Sequence, residues 1–291
     1  MKKRINVFVL TIKNSHREHI IRKRLNFLKI NHKFFYAIDG RSPNNFKILY
    51  NKYNKKKCLN ILGRDMTYPE ISNAEGHLRI YKYIVKKKIL NAVIMEDDCY
   101  PSKTLCDWLN LEYFFCKKEY DIIQIYHSSG LVYKKPLEVI LNKFYLYKTC
   151  FTLPYTTCYQ ITKKACKYIL NRNKKISRLA DWPVNFYDGK LKQFIVLPRL
   201  TSLHFNHLNT SHNIEVWKKF VKVEKIKKFV PFYNIMTALY FLLHIPLLLR
   251  EYKDYSYYKE KYLLPKIFFI KDLLSNKYIN LKNISKNKMF Y

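Results

Sequence analysis

The chain has 291 residues and carries a formal net charge of +34 at pH 7. This length accommodates one large α/β domain with an appendage, and only five Gly and ten Pro argue against a linker-rich or low-complexity protein. The charge favours an anionic partner, but its sign alone does not choose among a nucleic acid, an anionic lipid and a phosphorylated glycan.

Strands and helices are predicted to alternate along the first 171 residues. Short apolar, β-branched runs predict strands at 5–12, 33–38, 92–96, 121–126 and 156–161. Helical patterns predict helices near 16–30, 73–88, 103–117 and 162–171. This alternation predicts an α/β sandwich with a largely parallel sheet.

The strand predicted at 92–96 is the most informative segment, because it leads directly into Glu96, Asp97 and Asp98. Adjacent carboxylates repel one another unless water or a cation offsets their charge, and oxygen ligands of this kind suit Mg²⁺ or Mn²⁺. Ligands of α/β sheets sit at the carboxyl ends of the strands, so a cation held here could carry a diphosphate. The alternative is an acidic turn with solvated side chains.

Four segments occur in an order that resembles glycosyltransferase family 25, the bacterial lipopolysaccharide and lipooligosaccharide galactosyltransferases with their collagen-modifying relatives. The segments are Ser15 with Arg17, the stretch 37–40 (Ala-Ile-Asp-Gly), the stretch 69–77 and the acidic stretch 95–98. The resemblance covers roughly residues 4 to 210. It implies a type A glycosyltransferase fold, a Rossmann-like single-sheet α/β sandwich, in a catalytic domain at residues 1–215.

The same resemblance implies an activity. The enzyme would move a hexose, galactose or glucose, from a uridine diphosphate sugar to a glycan acceptor of lipopolysaccharide or lipooligosaccharide, with inversion. Mn²⁺ or Mg²⁺ would neutralise the leaving diphosphate. The nucleotide sugar is expected to contact five residues, namely Arg17, Asp39, Glu70, His77 and Asp97.

The cation is expected to be held mainly by Asp98, with Glu96 close by and His204 as a late ligand; His207 is the alternative to His204. A structural role for either histidine is the competing interpretation. An inverting enzyme needs one carboxylate as general base, and Asp181 is the candidate. Asp181 could instead cap a helix, because Pro183 follows closely.

Residues 216–291 differ in character from the rest, with sixteen Lys or Arg against five Asp or Glu. Within them, the apolar run 235–249 is fifteen residues long, which is short of the roughly twenty needed to span a bilayer. Its basic flanks predict a mostly helical extension that lies on an anionic membrane surface. A buried core helix is the alternative.

The seven cysteines form no C-x-x-C pair, and no signal peptide pattern precedes them. Reduced thiols are therefore expected, in a protein that is cytoplasmic and peripheral on the cytoplasmic face of the inner membrane.

Two other functions are open at this stage. A basic nucleic-acid-binding protein would fit the charge, but the sequence has no helix-turn-helix register or zinc-finger spacing, so no nucleic acid is expected as a partner. A catalytically inactive family 25 binder of sugar nucleotides would fit the departures from the family pattern at residues 72–76.

Overall fold

The computed structural model describes residues 4–62, 64–111, 120–127, 131–133, 135–149, 156–181, 183–184, 190–204 and 278–280. The strands are β1 (Asn6–Thr11), β2 (His32–Tyr36), β3 (Asn91–Glu96), β4 (Cys99–Pro101), β5 (Ile122–Gln124), β6 (Leu131–Tyr133), β7 (Glu138–Ile140), β8 (Phe144–Lys148), β9 (Cys158–Thr162), β10 (Gln193–Leu197), β11 (Thr201–Leu203) and β12 (Tyr278–Asn280). The helices are α1 (His16–Phe27), α2 (Phe46–Asn51), α3 (Lys55–Leu62), α4 (Tyr68–Lys86), α5 (Thr104–Leu109) and α6 (Lys163–Arg172), with a 3₁₀ turn at Pro43–Asn45.

Eight strands form one mixed sheet in the order β2-β1-β3-β9-β5-β10-β8-β7. Strand β1 is parallel to β2 and β3, and β5 is parallel to β10. Strand β9 is antiparallel to both of its neighbours, and so is β8. The predicted α/β class is confirmed, but β9 and β8 run against the other six strands, so the sheet is mixed rather than parallel throughout.

The two faces of the sheet are covered by different helices. Along β1 and β3, alternate apolar side chains point to opposite faces, as the two-residue period of a strand requires. One face packs Val7, Val9, Val93 and Met95 against α1 and α5. The other packs Phe8, Leu10, Ala92 and Ile94 against α4 and α6. Both faces of the sheet are therefore buried under helices, as in a three-layer α/β sandwich.

Helix α4 begins at Tyr68, five residues before its predicted start. Thr67 and Glu70 form a capping box, in which each side chain accepts the other residue's backbone N–H, and Pro69 occupies the first turn. The longer helix changes the position of His77, which was predicted near the helix start and instead lies in its buried middle.

Two glycines let α4 approach its neighbours closely. A Cβ on Gly76 would lie 2.6 Å from the Leu10 side chain in β1. A Cβ on Gly40 would lie 2.6 Å from the main-chain oxygen of Tyr68. The loop after β2 is thereby fixed against the start of α4, and the Ser72 hydroxyl adds a hydrogen bond to the Ile38 carbonyl.

A third apolar cluster joins α2 and α3, which were not predicted, to the first turns of α4 and to Ile176 and Ala180. The predicted C-terminal extension lies outside the described residues except for β12, which pairs with β6. Within the described ranges, no helix combines the length and apolarity that crossing a bilayer requires.

Candidate functional site

Several polar side chains meet at the edge of the sheet where β1 and β3 end. Thr11 ends β1, and Glu96 ends β3 and continues into Asp97 and Asp98. Because β9 is antiparallel, its start lies at this same edge, and the Glu96 N–H donates to the Thr157 carbonyl at 2.9 Å. The carboxyl edge, where α/β sheets bind ligands, therefore collects residues from three strands.

Glu96 is held by three donors that converge on one oxygen. Its Oε1 accepts hydrogen bonds from Thr156 Oγ1 at 2.6 Å, Asn73 Nδ2 at 3.1 Å and His77 Nε2 at 3.1 Å. Burial opposes ionisation of this carboxyl, but the hydrogen bonds and the attraction of His77 outweigh it and hold the pKa of Glu96 below its ordinary value. Glu96 is therefore a carboxylate with one fixed oxygen, and its side chain retains 21% exposure.

A buried chain of hydrogen bonds fixes His77 in turn. Its Nδ1 lies 2.8 Å from the Tyr159 hydroxyl oxygen, which lies 2.6 Å from the Tyr81 hydroxyl oxygen. An ionised Glu96 only accepts hydrogen bonds, so Nε2 of His77 carries a proton. Nδ1 of His77 shares a hydrogen bond with the Tyr159 hydroxyl, and the hydroxyls of Tyr159 and Tyr81 share another. His77 thus acts on Glu96, and its predicted contact with a nucleotide sugar stays a prediction.

Asp97 is paired with residues from β1 and α1. Thr11 Oγ1 donates to its Oδ2 at 2.7 Å, and Arg17 Nη1 lies 3.5 Å from its Oδ1. Burial raises the pKa of Asp97 despite both partners. Two residues predicted to bind the nucleotide sugar, Arg17 and Asp97, are therefore brought together at the site.

Asp98 has the least compensated carboxyl of the three acids. Its buried Oδ1 has no hydrogen-bond partner among the described residues. Burial, with the charges of Glu96 and Asp97, raises its pKa to about 7. A buried acceptor without a donor is costly, and a cation would satisfy it, so the donor chemistry of Asp98 fits a hard divalent ion.

The full predicted set of metal ligands is not assembled in the described part of the chain, which holds no group of three or more His, Cys, Asp or Glu arranged for a metal. The backbone of His204 lies close to Asp98, because the His204 N–H donates to the Asp98 carbonyl at 2.8 Å. The His204 ring, however, lies beside the Tyr100 ring, with centroids 6.0 Å apart. His207 lies outside the described residues. The metal and the ligand roles of Glu96, Asp98 and His204 stay predictions.

Asp181 reaches the same edge from the segment after α6. Its Oδ1 accepts the Thr156 N–H at 3.0 Å and lies 3.0 Å from Thr156 Oγ1. Burial and the charge of Glu96 raise the pKa of Asp181 to about 6. Asp181 lies in a turn, and residue 182, which follows it, lies outside the described residues, so the capping alternative stays a prediction.

The remaining predicted residues lie apart from the acids or have partners of their own. Asp39 forms a bidentate pair with Arg41, through Nε at 2.8 Å and Nη2 at 2.6 Å. The charge of Asp97 also raises the pKa of Arg41, after the larger effect of Asp39. Glu70 belongs to the capping box and pairs with Arg64 at 2.6 Å, which gives it a structural role.

Sequence reasoning missed Thr156, Asn73, Tyr159 and Arg41. Thr156 was assigned only to a strand, although it contacts two carboxylates. Asn73 lies four residues before His77, so both lie on one face of α4, and that spacing could have indicated a shared target. Nothing in the sequence signals that Tyr159 and Tyr81 meet.

Comparison with known proteins identifies the family of the chain. Residues 4–187 match the family model described as glycosyltransferase family 25 (LPS biosynthesis protein). No match to an individual curated protein was found. The matched range contains β1, the acids after β3, Thr156 and Asp181, and it covers well over half of the chain. The protein therefore belongs to glycosyltransferase family 25.

Proposed function

We propose that the protein is an inverting hexosyltransferase that moves galactose or glucose from a uridine diphosphate sugar to a glycan acceptor of lipopolysaccharide or lipooligosaccharide. Family membership supports a glycosyltransferase of lipopolysaccharide biosynthesis. The observation that carries the specific proposal is the meeting of Glu96 and Asp181 on Thr156 at the carboxyl edge. These carboxylates come from distant parts of the chain, and burial opposes the ionisation of both.

Asp181 is proposed as the general base. Inversion by a single displacement requires one group that accepts the proton of the acceptor hydroxyl as this oxygen attacks the sugar. With its pKa raised to about 6, Asp181 is still ionised at pH 7 but binds a proton more readily than an ordinary aspartate. Its partly exposed side chain and its anchored Oδ1 leave Oδ2 for the acceptor.

The donor diphosphate is proposed to lie near Asp97 and Asp98. Arg17 supplies positive charge there, and a guanidinium binds phosphate oxygens well. Mn²⁺ or Mg²⁺ remains part of the proposal, with Asp98 as the ligand that has an unsatisfied oxygen; when bound, the ion would neutralise the leaving diphosphate. The acceptor would be presented at the cytoplasmic face of an anionic membrane, to which residues 216–291 would bind.

A screen of donor substrates tests the proposal. The purified protein is incubated with Mn²⁺ and a panel of uridine and guanosine diphosphate sugars, and the release of nucleoside diphosphate is measured with and without lipooligosaccharide. We expect turnover of a uridine diphosphate hexose that rises when acceptor is added. Binding of that donor by calorimetry without any turnover would instead identify an inactive sugar-nucleotide binder.

A further inference from the structure

Thr156 holds a position between two carboxylates that no other described side chain shares. Its hydroxyl oxygen lies 2.6 Å from Oε1 of Glu96 and 3.0 Å from Oδ1 of Asp181, while its main-chain N–H donates to the same Oδ1 at 3.0 Å. One buried residue, 8% exposed, therefore fixes the distance between the two acids.

The hydroxyl of Thr156 carries one hydrogen, so it donates to one carboxylate at a time. The shorter contact favours Glu96. The main-chain N–H holds Asp181 independently of where that hydrogen points. The main-chain N–H of Thr156 thus gives Asp181 one fixed oxygen, and the Thr156 hydroxyl joins Asn73 and His77 in fixing one oxygen of Glu96.

Fixing one oxygen of a carboxylate sets the direction of the other. A base must lie within hydrogen-bond reach of the proton that it accepts, and a displacement of about 1 Å costs up to a hundredfold in rate. Without the Thr156 hydroxyl, the hydrogen that lies between the two carboxylates would also be lost, so the charges of Glu96 and Asp181 would repel each other more strongly and push the side chains apart.

We propose that Thr156 is a positioning residue for glycosyl transfer: its main-chain N–H anchors Asp181, and its hydroxyl, which donates to Glu96 between the two acids, keeps Asp181 beside Glu96 in the orientation that receives the proton of the acceptor. The inference rests on the proposed function. Thr156 itself forms no bond with the sugar and transfers no proton to it. Its effect is therefore expected on the rate of transfer and not on the affinity for the donor.

Two substitutions distinguish the effect of the Thr156 hydroxyl from the effect of the side chain's shape. Thr156→Val replaces the hydroxyl with a methyl group at nearly constant volume, and Thr156→Ser keeps the hydroxyl. We expect Thr156→Val to lower kcat about a hundredfold with the donor KM within threefold of wild type, and Thr156→Ser to stay within about fivefold in kcat. Thr149→Val is the matched control, because Thr149 follows β8 directly and, among the described residues, its Oγ1 donates to the Gln193 carbonyl in β10.

The kinetics of these variants test the role of the Thr156 hydroxyl. A Thr156→Val protein with wild-type kcat, or a Thr156→Ser protein as impaired as Thr156→Val, overturns the role of the hydroxyl. If Thr156→Val does not fold, judged by its melting temperature, Thr156→Ala replaces it with the same expectation; loss of fold in both would make the hydroxyl structural. A wild-type protein that turns over no nucleotide sugar refutes the proposed function itself, whereas an active wild type with unaffected variants refutes only the role of Thr156.

Discussion

Asp181 must lose its proton before it can accept another from the acceptor. Its pKa is raised to about 6, so the ionised, active form is lost as the pH falls through that value. We expect kcat/KM to be flat above about pH 7 and to fall roughly tenfold per pH unit well below pH 6. A pH–rate profile with the preferred donor measures this, and a rate that is unchanged down to pH 4.5 would exclude Asp181 as the base.

Replacing Asp181 tests the same residue without changing the pH. Asp181→Asn keeps the volume but removes proton acceptance, so kcat should fall by about 10²–10⁴ while donor affinity stays nearly constant. Asp107→Asn is a matched control, because Asp107 is exposed in α5 and pairs only with Lys143 among the described ion pairs. Weakened donor binding with normal kcat would make Asp181 a binding residue instead.

Asp98 allows the cation to be tested separately. If its uncompensated oxygen holds Mn²⁺ or Mg²⁺, Asp98→Ala should reduce turnover a hundredfold or more, the scale on which a main electrostatic stabiliser acts. EDTA should cause a similar loss that added Mn²⁺ reverses. Calorimetric titration of Mn²⁺ into wild type and Asp98→Ala gives an independent readout, and full activity in EDTA would contradict the metal hypothesis.

At the scale of elements, Gly40 links the loop after β2 to the start of α4. Its absent Cβ faces main-chain atoms of Tyr68 and Pro69, which cannot move without shifting the helix. Gly40→Ala should therefore lower the free energy of unfolding by about 1–3 kcal/mol, measured by urea denaturation.

Gly76→Ala is the comparison for this variant. The added methyl group would meet the flexible end of the Leu10 side chain rather than backbone, and alanine gains about 1 kcal/mol over glycine inside a helix. Its net effect should be smaller than that of Gly40→Ala. Equal losses in the two variants would show that rigid backbone contact is not what distinguishes them.

The elements that were predictable are those whose pattern is local. The apolar run before Glu96 identified β3, and the apolar, β-branched run at residues 5–12 identified β1. The start of α4 was also predictable, because Thr67 and Glu70 match the capping-box pattern and Pro69 suits the first turn. The predicted start was nevertheless five residues late. Helices α2 and α3 were not predicted because, at six and eight residues, they are too short to show a helical period clearly.

The direction of β9 could not be predicted, because a strand of five residues has the same pattern in both directions. That direction places Thr156 beside Glu96 and Asp181, so the centre of the candidate site depended on it. The three acids and Asp181 were identified by residue type and by family resemblance. Their hydrogen-bond partners depend on tertiary contacts that no spacing in the sequence specifies.

For the whole molecule, the charge of +34 and the segment 216–291 predict binding to an anionic membrane. Each basic residue near the surface adds about 1 kcal/mol, and the apolar run 235–249 would insert at the interface. The full chain should float with anionic vesicles, bind neutral vesicles poorly, and lose much of its binding at high salt. A chain ending near residue 215 should no longer float, and equal flotation of both would contradict the prediction.

Because β9 runs antiparallel between β3 and β5, Thr156, the hydrogen-bond partner of the candidate base, adjoins the central strands of the sheet. The Glu96 amide donates to the Thr157 carbonyl, and Thr156 is the residue immediately before Thr157. Separating Glu96 from Thr156 would thus require opening the junction of β3 and β9, and amides in central strands exchange with solvent mainly through global unfolding. The Glu96 amide should accordingly rank among the slowest in deuterium exchange, so Glu96 and Thr156 should keep their spacing through every motion short of unfolding.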